Sequence, residues 1–141
     1  MSKSRKIIVP QLPKIYESRL HSDFRELMNY AAFQYMDDKA FIIKKKPKNR
    51  HDEPTYINKT FIDFKNDVNS LGTGLLDMGL RDKRIAVIGK NRYEWMLAYF
   101  ATLCGLGMSV PLDKGLPYDE VESSLARSKS DVLVFDKDHL D

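Results

Sequence analysis

The sequence is poor in the features that usually reveal chemistry. Cys104 is the one cysteine in 141 residues, so no internal disulfide forms and the disulfide-stapled secreted class is excluded. The three histidines, His21, His51 and His139, do not fall at zinc-ligand spacing with each other or with Cys104. No apolar run approaches the roughly 20 residues that a bilayer span needs, and stretch 3–10 is too short for a signal-peptide core. Charge of one sign is also scarce: 23 basic and 20 acidic residues leave a net charge of +3, which favours no polyanionic partner in bulk. Internal repeats and low-complexity linkers are missing as well. The expectation is a soluble, cytoplasmic chain in a reducing compartment.

What is present suits one domain with a real core: 43% of residues are hydrophobic and 11% aromatic. The organising stretch is 83–136, where apolar segments 85–89, 108–112 and 132–135 read as strands without polar alternation. Between the first two, Asn91 is expected to cap a helix over 93–104, with Glu94 three residues on. That helix is apolar on nearly every face, which suits burial between layers. Gly105 and Gly107 end it, and Cys104 within it is expected to pack rather than react. Between the second and third strands, Pro117 is expected at a first helical position, with Asp119 and Glu120 in the first turn and Val121 and Leu125 facing inward. Apolar strands joined by helices predict a parallel sheet.

Upstream, residues 1–22 read as an extended arm, with Pro10 and Pro13 opposing regular structure. Asp23 with Glu26 resembles a capping box for an amphipathic helix over 23–35. Segments 40–43 and 55–57 flank the polar run KKKPKNRHDE and predict a hairpin with a long loop. Thr60 with Asp63 starts a further helix, bearing the stripe Phe61, Phe64, Val68, Leu71 and Leu75, and Gly79 followed by Leu80 ends it. Gly72 and Gly74 inside that helix predict close approach of another backbone.

Candidate chemistry is sparse. The loop residues Lys44, Lys45, Lys46, Lys48 and Arg50 form a basic patch able to hold phosphate, or else a solvated hairpin tip; no aromatic residue interrupts the tip to stack on bases, which counts against nucleic acid. The turn GKNR at 89–92 holds a single glycine, so it is neither a dinucleotide fingerprint nor a P-loop. Asn91, Arg92 and the amides of a helix N-terminus could still face an anion there. Asp113, Asp136 and Asp138 are single carboxylates at strand ends, without a visible acid–base partner. No residue is assigned a catalytic, cofactor-binding or metal-binding role.

Several stretches together carry a resemblance. Lys59-Thr60-Phe61-Ile62-Asp63-Phe64 resembles the first core motif of the adenylate-forming, AMP-binding enzymes, L-T-Y-x-E-L. LCGLGMSVPLD at 103–113 resembles their second, L-K-A-G-x-x-x-V-P-L-D. Between them, GLRDKRIAVIGKNRYEW is similar to a segment of acyl-CoA synthetases, and LDKGLPYDEVESSLARSKSDVLV continues it in the manner of long-chain fatty acid–CoA ligases. Two departures stand out: no glycine precedes Asp82, and the second motif carries Gly105 and Gly107 around Leu106, where the family has one glycine.

The resemblance implies a layered α/β unit, an N-terminal helix and hairpin before a parallel sheet, with 23–141 as part of the large N-terminal domain. It implies a parent reaction using ATP, Mg2+ and coenzyme A on a fatty acid or other carboxylate. The phosphate loop, hinge and catalytic lysine of the family are expected downstream of Asp141. This segment is therefore expected to be inactive alone and to bind no cofactor. Its partner would be the downstream remainder of the same enzyme, and self-association through an uncovered sheet edge is expected without it. The alternative reading is a self-contained α/β binding or interaction module without catalysis.

Overall fold

The computed structural model describes residues 19–47, 49 and 51–137. Most of the expected arm, and Lys48, Arg50, Asp138 and His139, lie outside them. Helix α1 (Phe24–Gln34) leads to a hairpin of β1 (Lys39–Lys45) and β2 (Thr55–Thr60), then α2 (Phe61–Asp77), β3 (Lys83–Ile88) and α3 (Tyr93–Ala101). A wide π-type turn, Thr102–Leu106, precedes β4 (Gly107–Pro111), α4 (Tyr118–Ser128) and β5 (Val132–Phe135). The hairpin is antiparallel; the second sheet has the order β4-β3-β5 and is parallel throughout, as the unbroken apolar segments imply.

Local signals account for most boundaries. Asp23 accepts from the Glu26 amide at 2.7 Å, while the Glu26 carboxylate turns outward to the Ser22 amide and hydroxyl, so the cap is half a box. Thr60 and Asp63 make the full reciprocal box, at 3.2 and 3.0 Å. Gly79, at φ +81, closes α2: its amide reaches Leu76 and the Leu80 amide reaches Leu75, the paired bonds of a Schellman ending.

Other expectations need correction. Asn91 caps nothing: Arg92 holds the cap position of α3, with extended backbone and no side-chain bond to the first turn. Pro117 likewise precedes α4 as its cap residue instead of entering it. The regular part of the third helix stops at Ala101, because the buried Thr102 hydroxyl bonds back to the Ala98 carbonyl at 2.8 Å and Gly105 turns to φ +121. Gly72 meets only the Ala101 methyl at 4.0 Å, and Gly74 faces open space, so neither marks a close backbone approach.

Two apolar clusters form the core. One joins Met28, Phe64, Val68, Tyr93 and Ala101, with Phe41 and Ile43 of the hairpin's inner face packed against it. The other joins Ile85, Val87, Ala98 and Leu106 beneath Leu71, Leu75 and Trp95. Helix α3 thus lies between α2 and the sheet, which is why it is apolar all round. Central strand β3 is buried from Ile85 to Ile88. Helix α4 has no buried residue; Val121 and Leu125 are only half covered.

Candidate functional site

Open parallel sheets present ligands beyond the carboxyl ends of their strands. Here that edge is built by β3 and β5. The Asp136 carboxylate, just past β5, accepts from the Lys90 amide at 3.0 Å and lies 3.3 Å from where a Cβ on Gly89 would stand. Glycine lets the two strand ends close, and the chain then turns through Lys90–Arg92 into α3.

A cleft of about 1010 Å³ opens between this turn and β1. Lys44, Lys45 and Lys46 line one side, Lys90, Asn91 and Arg92 the other, with Lys137 at the rim and Glu94 as the acid among them. The two basic features that the sequence presents separately therefore face each other. The uncapped first turn of α3 adds backbone amides and the positive end of the helix dipole to the same space. Chemically the cleft complements a phosphate or carboxylate group. Sequence order hides this, because Lys46 and Lys90 are 44 positions apart; a basic cluster and a basic turn meeting across a hairpin are visible only after folding.

A polar clamp holds Tyr93, which lines the cleft. Asp67 of α2 accepts from Lys59 Nζ of β2 at 2.7 Å and from the Tyr93 hydroxyl of α3 at 2.8 Å, and the Lys59 ammonium lies 5.5 Å from the Tyr93 ring centre. The bonds from Lys59 and then Tyr93 hold the Asp67 carboxyl below its ordinary range. Burial, reinforced by Asp67, pushes the Tyr93 phenol upward, so it is a permanent donor. None of these three residues stood out as a group in the sequence.

The remaining candidates resolve into structural roles. Asp113 accepts from the Gly115 amide at 2.8 Å, an Asx turn after β4. His21 is half-buried against Tyr30, with ring centres 5.1 Å apart, and His51 is exposed in the hairpin loop. Among the described residues no three His, Cys, Asp or Glu side chains come together around a metal-sized space. Cys104 is half-buried against the first cluster; burial raises its thiol, outweighing the opposite effect of Arg25, which suits packing. Among the described residues no helix is long and apolar enough to cross a membrane.

The Arg25 side chain reaches the carbonyl of Cys104 through Nε at 2.9 Å and Nη2 at 2.6 Å and covers Gly105. At Gly107 a Cβ would overlap the Lys83 backbone carbonyl, since Gly107 is the partner of Lys83 in the parallel pairing of β4 with β3. Both glycines of the second motif thus have separate reasons to be glycine. The glycine missing before Asp82 is replaced by Asp82 itself in the left-handed region, φ +58, with its amide on the Leu106 carbonyl at 2.7 Å.

The fold is shared with known proteins. The fold resembles Klebsiella oxytoca NpsA in complex with 3-hydroxyanthranilyl-AMSN, with a TM-score of 0.70, 13% identity, and coverage of 84% of this chain and 22% of that one. It also resembles a Mycobacterium tuberculosis fatty acyl CoA synthetase, with a TM-score of 0.67, 18% identity, and coverage of 80% and 21%. In sequence, the chain is 37% identical over 79 residues to the mitochondrial medium-chain acyl-CoA ligase ACSF2 of Danio rerio, a stretch that is 55% of this chain and 13% of that relative. The chain therefore spans a small part of each protein's length. The model of a family described as AMP-binding enzyme matches residues 29–141, most of the chain, and the chain belongs to that family of adenylate-forming enzymes.

Proposed function

We propose that this chain is the N-terminal scaffold portion of a ligase that activates a carboxylate with ATP, forming an acyl-adenylate and pyrophosphate, and then transfers the acyl group to the thiol of coenzyme A. The observation that carries the reading is the family match over residues 29–141, on a parallel three-strand unit like that of the ligases it resembles. ATP, Mg2+ and coenzyme A would serve the assembled enzyme; this segment's contribution to phosphate recognition would come from the basic cleft of Lys44–Lys46, Lys90 and Arg92. A medium- to long-chain fatty acid is the preferred carboxylate, supported by the long-chain style of 112–134 and by the named function of the zebrafish relative. An aromatic acid is second, since the NpsA complex holds an anthranilyl analogue. The half-buried, packed Cys104 fits a reducing, cytoplasmic setting.

In this reading residues 23–141 support the substrate-binding layers and do not turn over alone. ATP–pyrophosphate exchange with fatty acids of graded length tests it. The chain alone is expected to give no exchange, and the chain joined to the remainder of its enzyme is expected to give fatty-acid-dependent exchange. Exchange by the purified chain alone overturns the scaffold reading.

A further inference from the structure

We infer that the outward face of the β1–β2 hairpin is a docking surface for an anionic lipid membrane. Strand alternation sends Phe41 and Ile43 into the core and leaves Ile42 and Lys44 on the opposite face, across from Asn58 and Tyr56. Ile42 is 63% exposed and Tyr56 58% exposed, and they are diagonal neighbours on that face. Lys45 and Lys46 continue the strand into the loop and are also exposed. Residues 44–53 contain five basic and two acidic residues, a local excess in a near-neutral chain. Asp52 is turned toward the loop itself, accepting from Asn49 Nδ2 at 2.9 Å.

The combination selects the partner. Lysines alone would suit any polyanion, but an exposed isoleucine beside them offers nothing to a phosphate backbone or a stacked base. An aliphatic side chain with a tyrosine beneath a lysine fringe matches the boundary between lipid headgroups and acyl chains. Basic residues near an anionic leaflet each raise partitioning by roughly fivefold, and the effect falls with salt. Three lysines therefore supply reversible binding, on the order of 100-fold. The same lysines border the basic cleft, so this surface and the phosphate role proposed above draw on one set of side chains, and the Ile42 and Tyr56 variants, which leave the lysines in place, tell the two apart.

Co-sedimentation of the full chain with phosphatidylcholine vesicles, with and without phosphatidylserine, tests it. Binding is expected with phosphatidylserine only and is expected to weaken as salt rises. The variant Lys44→Ser, Lys45→Ser, Lys46→Ser should lose on the order of 100-fold, and the matching triple change to arginine should retain binding. Ile42→Ser with Tyr56→Ser should weaken binding at both low and high salt. Every variant keeps the basic residues of 1–18, so their contribution cancels, and circular dichroism checks the fold. Equal binding to neutral vesicles, undiminished binding of the serine triple variant, or capture of a single-stranded oligonucleotide in place of vesicles overturns the proposal.

Discussion

The Tyr93 hydroxyl donates to Asp67 Oδ2 across 2.8 Å, joining the first residue of α3 to the middle of α2. Because Asp67 also holds Lys59, one carboxylate ties the hairpin and α2 to Tyr93, which lines the basic cleft. Tyr93→Phe removes one donor and leaves the Lys59 pair intact, so a loss of about 1 kcal/mol in urea unfolding is expected. A loss several times larger would mean that the ring, 8% exposed, has shifted as well.

The same carboxylate sets an acid dependence. Asp67 and Asp63 both titrate below their ordinary values when folded, Asp67 through Lys59 and then Tyr93, Asp63 through the Thr60 amide and then its hydroxyl. A depressed folded value gives stability that is present above the unfolded pKa of about 3.9 and is lost as pH falls through the folded value. Stability should therefore fall from about pH 4 downward, and less steeply in Asp67→Asn. Denaturant midpoints measured from neutral pH downward check this; parallel curves for the two proteins would remove Asp67 as a contributor.

Gly107→Ala should damage the sheet more than Gly105→Ala damages the turn. At Gly107 the added methyl meets the Lys83 backbone, which cannot move without parting β3 from β4. At Gly105 the methyl meets the end of Arg25, a flexible side chain that can swing away, but the backbone remains at φ +121 and the Cys104 carbonyl loses its donors. Costs of about 3 kcal/mol and about 2 kcal/mol are expected from these mechanisms. Thermal unfolding of the two variants side by side gives the order.

Lys129 ends α4 at φ +52, with its amide on Ala126 and the Ser130 amide on Leu125, a Schellman ending with lysine where glycine is usual. Lys129→Gly should therefore stabilise, by about 1 kcal/mol. An unchanged denaturant midpoint would show that α4 is already frayed.

Helix α4 carries no buried residue, Tyr118 is 85% exposed and Met108 on β4 is 57% exposed. If the remainder of a ligase covers these surfaces, the isolated chain should bind the dye ANS and self-associate, and supplying the remainder in trans should suppress both. A monomer that excludes the dye would favour the self-contained module.

Most of the fold was legible because its signals are local. Capping pairs such as Thr60 with Asp63, a Gly79 ending and unbroken apolar strands each act within a few residues, so sequence order carries them. The expectation for Asn91 failed because its competitor is long-range: the Lys90 amide in the turn after Gly89 meets the carboxylate of Asp136, just past β5 and 46 positions away, and Arg92 takes the cap position. The reasons for Gly105 and Gly107 were equally hidden, since Arg25 and Lys83 come from distant segments. The sequence by itself determined the element types, the parallel sheet and the family resemblance. Only the tertiary structure brought Lys44–Lys46 opposite Lys90 and Arg92 and closed Lys59, Asp67 and Tyr93 around one carboxylate, because long-range juxtaposition depends on how helices pack on the sheet and leaves no periodic trace in the chain.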